Sequence, residues 1–318
     1  MNINKYSPII FSIVFLVMTA PISRAGQVVT KEARDWAQQT LQEEKSLQAA
    51  MARNTLAVIY FKNGSGREEL DPLQKGFALM LITDLSTVKG VQVVERIKLQ
   101  ALAEELGLGA SGLVEPGSEP RVGKLLRAQW LVGGDITGTQ QAPLRVQSRL
   151  LETTTSAVIG QPASEGILQE LFRIEKDLLF ELIKLLKLDV KPEERAKLEK
   201  PCSTNSKALI ALFKGVDASD RGDYKKAKEF YEKSLQEDPN ICIAGDALQE
   251  LQDLGLIPVK KKSGDLVRSL RDSTSLTNQL TPKEELKKKF YPNDIPTPTN
   301  IQVIFPTPPG EPASGKTK

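Results

Sequence analysis

The stretch Val91-Gln92-Val93-Val94-Glu95-Arg96-Ile97-Lys98-Leu99-Gln100-Ala101-Leu102-Ala103-Glu104-Glu105-Leu106-Gly107 changes its period in mid-course. Its first four residues are β-prone and mostly apolar. From Ile97 onward the leucines return at 99, 102 and 106, the three-to-four spacing of one helix face. Gly107 follows, a residue that can take the left-handed turn closing such a helix. The step is strand, then helix.

The same alternation extends in both directions. Upstream, Leu56 to Phe61 is a short apolar run ending in the turn signal Asn63-Gly64-Ser65-Gly66. Asp71-Pro72 then opens a helix, with Asp71 expected as its cap and Pro72 in the first turn. Phe77, Met80, Leu81, Leu85 and Val88 form its buried stripe. Downstream, a helix is expected at about 121–128 and a strand at Trp130 to Ile136. Leu144-Arg145-Val146-Gln147-Ser148-Arg149-Leu150 alternates strictly, as a half-buried strand does. A turn at Thr153 to Ser156 and a returning strand at 157–160 complete a meander, and a long helix at about 166–188 ends the unit. Strands interspersed with helices and then a meander predict an α/β domain, a mixed sheet with packed helices, over 55–190. Ahead of it, Ala33, Trp36, Ala37, Leu41, Leu47 and Met51 predict an amphipathic helix within 26–54. Packing on the next domain is its default role and a partner surface the alternative.

Val93-Val94-Glu95-Arg96 with Leu99, Leu102, Glu105 and Leu106 resembles the strand-helix step of the CsgG family. Ala128-Gln129-Trp130-Leu131-Val132-Gly133-Gly134-Asp135-Ile136 with the meander is similar to that family's strand rich in Val and Gly. The resemblance spans about Thr55 to Leu188. It implies a fold shared with the TolB amino-terminal domain and LpoB, and a place in curli-type secretion or envelope assembly. Pore formers of this kind have two long hairpins that join subunits into a barrel. Here only four residues separate Gly138 from Pro143, and residues 161–165 after Gly160 are expected to lead straight into a helix. A membrane-crossing strand needs about 9 residues each way, so neither gap is long enough. No Cys stands near the amino terminus for lipid attachment.

A second unit, 191–258, resembles one tetratricopeptide repeat. Gly222, Tyr224, Ala227, Phe230, Tyr231, Ser234 and Pro239 keep that repeat's second-half spacing, and Gly215 falls in the preceding helix, about 208–218. Gly215, Ala227 and Ser234 are small enough for close helix approach, and Phe230 and Tyr231 fill the gap to a neighbour. A single repeat needs a surface to stack on, either the first domain or a partner. Residues 243–254 could begin another repeat. Stacking would set Cys202 and Cys242 at the same end of neighbouring helices, as a possible disulfide; two separately buried thiols are the other reading.

Residues 259–318 lose hydrophobic periodicity and carry seven prolines between Pro292 and Pro312, which predicts a disordered basic tail. The short β-prone island at 301–305 could add to a partner's sheet edge.

At the amino terminus, Lys5, an apolar run from Pro8 to Ala20 and Ser23-Arg24-Ala25 have the layout of a secretory signal, 1–25, cleaved after Ala25. The rival is a retained anchor, for which the run is short. The chain beyond it has a net charge of +1, divided into +5 from Val259 onward and −4 before it. This charge offers no general attraction to nucleic acid. The chain contains no histidine, which removes Ser-His and Cys-His nucleophiles and imidazole metal sites. Gly64-x-Gly66 lacks the third glycine of a dinucleotide loop, no phosphate loop is expected, and Glu95-Arg96 reads as a strand-end ion pair.

These features predict a periplasmic, non-catalytic accessory protein without cofactor or metal. It would work by protein-protein contact with envelope or outer-membrane assembly proteins, with a homo-oligomer possible. An LpoB-like regulator of a cell-wall enzyme is the alternative. A carboxylate-dependent hydrolase is the alternative outside the binding class, and it would need two facing carboxylates in a cleft.

Overall fold

The computed structural model describes residues 27–45, 52–108, 119–139 and 142–258. The expected signal segment and the expected tail, with its island at 301–305, lie outside them. After helix α1 (Lys31–Gln42), strand β1 (Ala52–Val58) and the short β2 (Lys62–Asn63) lead into α2 (Asp71–Leu85). Then come β3 (Gln92–Val93), α3 (Arg96–Glu105), α4 (Glu119–Leu125), β4 (Ala128–Thr137), β5 (Leu144–Glu152), β6 (Val158–Gly160) and β7 (Ala163–Gly166). Helices α5 (Leu171–Leu185), α6 (Pro192–Leu198), α7 (Ser206–Asp220), α8 (Tyr224–Glu237) and α9 (Ala244–Asp253) follow.

The mixed α/β architecture is present. The sheet runs β3-β1-β4-β5-β6, with β2 on β4 and β7 on β5. β1 is parallel to β3 and β4, whereas β5 is antiparallel to β4 and to β6 and β7. Gly134 lies against Phe61, which packs on Phe77 of α2, whereas Glu119 of α4 meets Arg149, the partner of Gly133, so α2 and α4 lie on opposite faces of the sheet. Val132, Ile136, Val146 and Leu150 are buried on the α2–α5 face. On the other face α4 covers one end, where Glu119 pairs with Arg149 at 3.0 Å, and Asp135, Arg145 and Gln147 stay exposed. That half-covered sheet is the cause of the alternation in β5.

Helix α2 is apolar around most of its circumference because it is covered twice. Toward the sheet, Phe77 meets Phe61 edge-on with ring centroids 5.0 Å apart. Away from it, Gly76 lies against the Phe213 ring so closely that a β-carbon there would come within 2.1 Å of it. The layers are therefore sheet, then α2 with α5, then the helices from α7 onward, all sharing one hydrophobic core.

Several boundaries differ from the expectations. The amphipathic helix stops at Gln42, and residues 52–54 belong to β1, where Ala52 pairs with Ala128. Asp71 is the first residue of α2 rather than its cap; Leu70 holds that position. The expected helix at 121–128 ends at Leu125, because Ala128 already belongs to β4. Residues 163–166 do not run into the helix but form β7, since β5 is long enough to pair with β6 and β7 in succession. Gly107 does close α3, at φ +65°.

Candidate interaction surface

A buried ionic joint connects the layers. Arg96, the first residue of α3, sends its guanidinium inward to Asp220, the last residue of α7, with bonds of 3.0 and 3.1 Å from Nη1 and 3.1 Å from Nη2. Both side chains are almost wholly buried, at 2% and 1% exposure. Arg96 Nη1 also donates to Tyr60 Oη at 3.3 Å, and Tyr60 Oη donates to Gln100 Oε1 at 2.7 Å. Lys75 of α2 adds a contact to Asp220 at 2.9 Å and one to Asp217 at 3.2 Å. Burial works against the Arg96 charge, but Asp220 and Tyr60 more than restore it, so its pKa is raised. Burial likewise pushes the Tyr60 phenol up and keeps it neutral. The expected Glu95-Arg96 pair does not form. Glu95 stays at the surface, 4.0 Å from Lys98, because the turn into α3 points adjacent side chains apart.

The segment ahead of α1 is strapped across this joint. Arg96 donates from Nη2 to the Gln27 carbonyl at 2.6 Å and from Nε to Gln27 Oε1 at 3.0 Å. The Glu250 carboxylate of α9 accepts the Gln27 N–H at 2.6 Å and the Val28 N–H at 3.3 Å. Gln27 therefore closes one end of a cleft of about 410 Å³ between α2 and α9, floored by Leu79, Ile82 and Ala247.

The sequence-predicted residues of the helical unit occupy the joint's outer side. A β-carbon on Gly215 would approach the Tyr231 ring to 2.4 Å, and Ser234 Oγ donates to the Ala208 carbonyl at 2.8 Å, so α7 and α8 run antiparallel in close contact. Ala227 and Tyr231 are fully buried between them. Gly222 makes the turn at φ +74°, Tyr224 begins α8 half-buried, and Pro239 lies exposed in the turn after it. Phe230 is half-buried beside Leu168, Ile210 and Ala211, in a groove between α7 and α8. Cys202, ahead of α7, and Cys242, ahead of α9, are joined as a disulfide with α-carbons 5.2 Å apart. The residue after the bridge, Ile243, sits at φ +70°, a strained conformation for a β-branched side chain.

Two carboxylates do come together elsewhere. Asp84 of α2 and Glu175 of α5 share Lys176, whose ammonium contacts Asp84 and lies 3.2 Å from Glu175. Burial, then the Asp84 charge, raises the Glu175 pKa well above its ordinary 4.5. Both carboxylates are engaged by the one Lys176 ammonium, and Glu175 is almost wholly buried, so the pair is a packed ionic cluster rather than two carboxylates facing each other across an open cleft. No group of three or more ligating side chains suited to a metal exists among the described residues. Gly310-x-x-x-x-Gly315-Lys316-Thr317 does carry phosphate-loop spacing, contrary to the expectation of none. In sequence it follows Pro306, Pro308 and Pro309, and it lies outside the described residues.

The open features are the exposed end of the sheet face and the outer sheet edge, where Val158, Ile159 and Ile167 are 40–48% exposed. Pro162 interrupts the edge between β6 and β7, a common protection against unwanted strand pairing. No described helix is long and apolar enough to cross a membrane.

Residues 37–143, from within α1 to the turn before β5, match the family model described as "Curli production assembly/transport component CsgG". This part of the chain is CsgG-like. The CsgG-like match stops short of β5, β6, β7 and α5, which complete the same sheet and its helical cover. Among solved structures, the LpoB C-terminal domain from Salmonella enterica is 16% identical, covering 42% of this chain and 98% of that one at a TM-score of 0.29. Lipoprotein GNA1162 from Neisseria meningitidis is 9% identical, covering 41% and 98% at 0.33. The LpoB C-terminal domain from Escherichia coli is 13% identical, covering 42% and 98% at 0.29. No curated protein matches the chain.

Proposed function

We propose that this chain is an exported accessory protein of the bacterial envelope, acting in outer-membrane export or envelope assembly by holding partner proteins. The match of residues 37–143 to the CsgG family carries the proposal. Three features support contact over chemistry: the absence of histidine, the mutual neutralisation of Asp84, Glu175 and Lys176, and a helical unit built as a repeat-like pair. The signal at 1–25 would deliver the chain to the periplasm with Gly26 first, and oxidation there would make the Cys202–Cys242 bridge. In place of the next repeat, the tetratricopeptide-like pair stacks on α2.

Affinity purification of the tagged, exported protein from solubilised envelope, with mass spectrometry of what is retained, tests this reading. Specific recovery of export or envelope-assembly components is expected. Recovery of peptidoglycan synthases instead would move the function to cell-wall enzyme regulation, and recovery of no envelope protein would overturn the proposal.

A further inference from the structure

The groove between α7 and α8 has a second property besides holding Phe230. Lys207, Ile210, Ala211 and Lys214 follow one another at helical spacing along α7, and Phe230, Lys233 and Glu237 do so along α8. The two stripes face each other across about 450 Å³, closed at one side by Leu168 ahead of α5. The floor is apolar and the rim carries three ammonium groups against one carboxylate.

Two other lysines of α8 are paired. Lys226 and Lys228 on the same helix α8 have carboxylate partners, Asp223 at 3.0 Å and Glu232 at 3.8 Å. Among the described residues, Lys207, Lys214 and Lys233 have no ion pair. Three exposed cations therefore stand around an apolar floor with one carboxylate, Glu237, and the rim keeps a net positive charge.

We infer that this groove binds an acidic peptide segment of a partner protein, with two carboxylates flanking one large apolar side chain. The inference rests on the proposed role in protein-protein contact and names the chemistry of one contact. Lys207 and Lys214 are seven residues apart on one helix, a rise of about 10 Å at 1.5 Å per residue. A peptide in the polyproline II conformation covers that distance in about three residues at 3.1 Å each, and its three residues per turn bring positions i and i+3 to the same face. The fitting segment thus has carboxylates at positions i and i+3, and an apolar residue between them to lie on Ile210 and Phe230. Opposite charge would supply orientation and rate, and burial of the apolar side chain would slow release.

The test is fluorescence polarisation with the mature full-length chain and a fluorescein-labelled peptide, Gly-Glu-Phe-Ala-Glu-Gly, blocked at both ends. Its Gln-for-Glu and Ala-for-Phe counterparts are the controls. The acidic peptide is expected to bind at least tenfold more tightly than the Gln form at low salt, and to weaken as salt rises. The triple variant Lys207→Ala, Lys214→Ala, Lys233→Ala should lose that advantage with an unchanged melting temperature, and Lys→Arg at the same positions should keep it. Equal binding of the acidic and Gln peptides, or full binding by the triple alanine variant, would overturn the inference. So would binding of vesicles with anionic lipid, or of single-stranded DNA, that depends on the three lysines while the peptide does not bind. If the triple variant still recovers envelope partners in affinity purification, the accessory role stands and this groove is not its contact.

Discussion

Removing the guanidinium of Arg96 would leave Asp220 charged, buried and held only by Lys75. Loss of one partner from a buried pair typically costs about 3–5 kcal/mol, mostly the penalty of the stranded charge. Arg96→Ala is therefore expected to lower unfolding stability by that amount in urea titration, and Arg96→Met with Asp220→Leu to recover part of it. A single variant as stable as the parent would mean that water reaches the joint. Glu175 gives a second prediction, in pH. Its folded-state pKa lies above the ordinary 4.5, chiefly through burial and then through Asp84, with Lys176 opposing. In that window the folded state holds the proton that the unfolded state releases. Stability should therefore fall as pH rises from about the ordinary value through the raised one, with a slope of up to about 1.4 kcal/mol per pH unit. Glu175→Gln cannot titrate and should flatten the profile, as thermal melts from pH 4 to 8 would reveal.

Among the elements, α2 is packed on two sides, by the sheet and by α7. A methyl at Gly76 would enter the Phe213 ring, so Gly76→Ala is expected to destabilise by about 1–3 kcal/mol despite its better helix propensity. Phe213→Leu in the same chain should relieve part of that cost. The second element-scale prediction concerns the bridge, which closes a loop between residues separated by 40 positions. In the chain-entropy model a loop of this size contributes about 4 kcal/mol. Non-reducing peptide mapping of periplasmic material should recover Cys202 and Cys242 as one linked pair, and reduction should lower the midpoint of unfolding. Two free, alkylatable thiols in exported protein would remove the clamp.

For the molecule as a whole, the CsgG-like match sets up a comparison with pore formers, and the two connections where hairpins would arise decide it. Residues 138–143 join β4 to β5, and Gln161-Pro162 joins β6 to β7 along one edge of β5. Neither has the roughly 9 residues each way that a crossing strand needs. The purified mature protein is expected to give no stable single-channel currents in a planar bilayer. Steps of fixed conductance from homogeneous protein would require a barrel made in another way.

The sequence by itself determined the elements whose pattern arises locally. Leu144 to Leu150 alternates because one face of β5 is covered and the other is open, and Gly107 and Gly222 mark turns that only a positive φ allows. The absence of histidine excludes imidazole nucleophile pairs and imidazole metal ligands whatever the fold. What the chain does at long range was decided by tertiary structure. Ala163-Ser164-Glu165-Gly166 has no strand propensity and becomes β7 only because β5 offers unpaired backbone. Arg96 and Asp220, 124 positions apart, look like surface charges in sequence and meet only when α7 docks on α2. Ile243 is driven to a left-handed φ just after the Cys202–Cys242 bridge, a strain that no local pattern announces. Periodicity records which face of an element is covered; the partner covering it is fixed by packing energies between residues that the sequence keeps far apart.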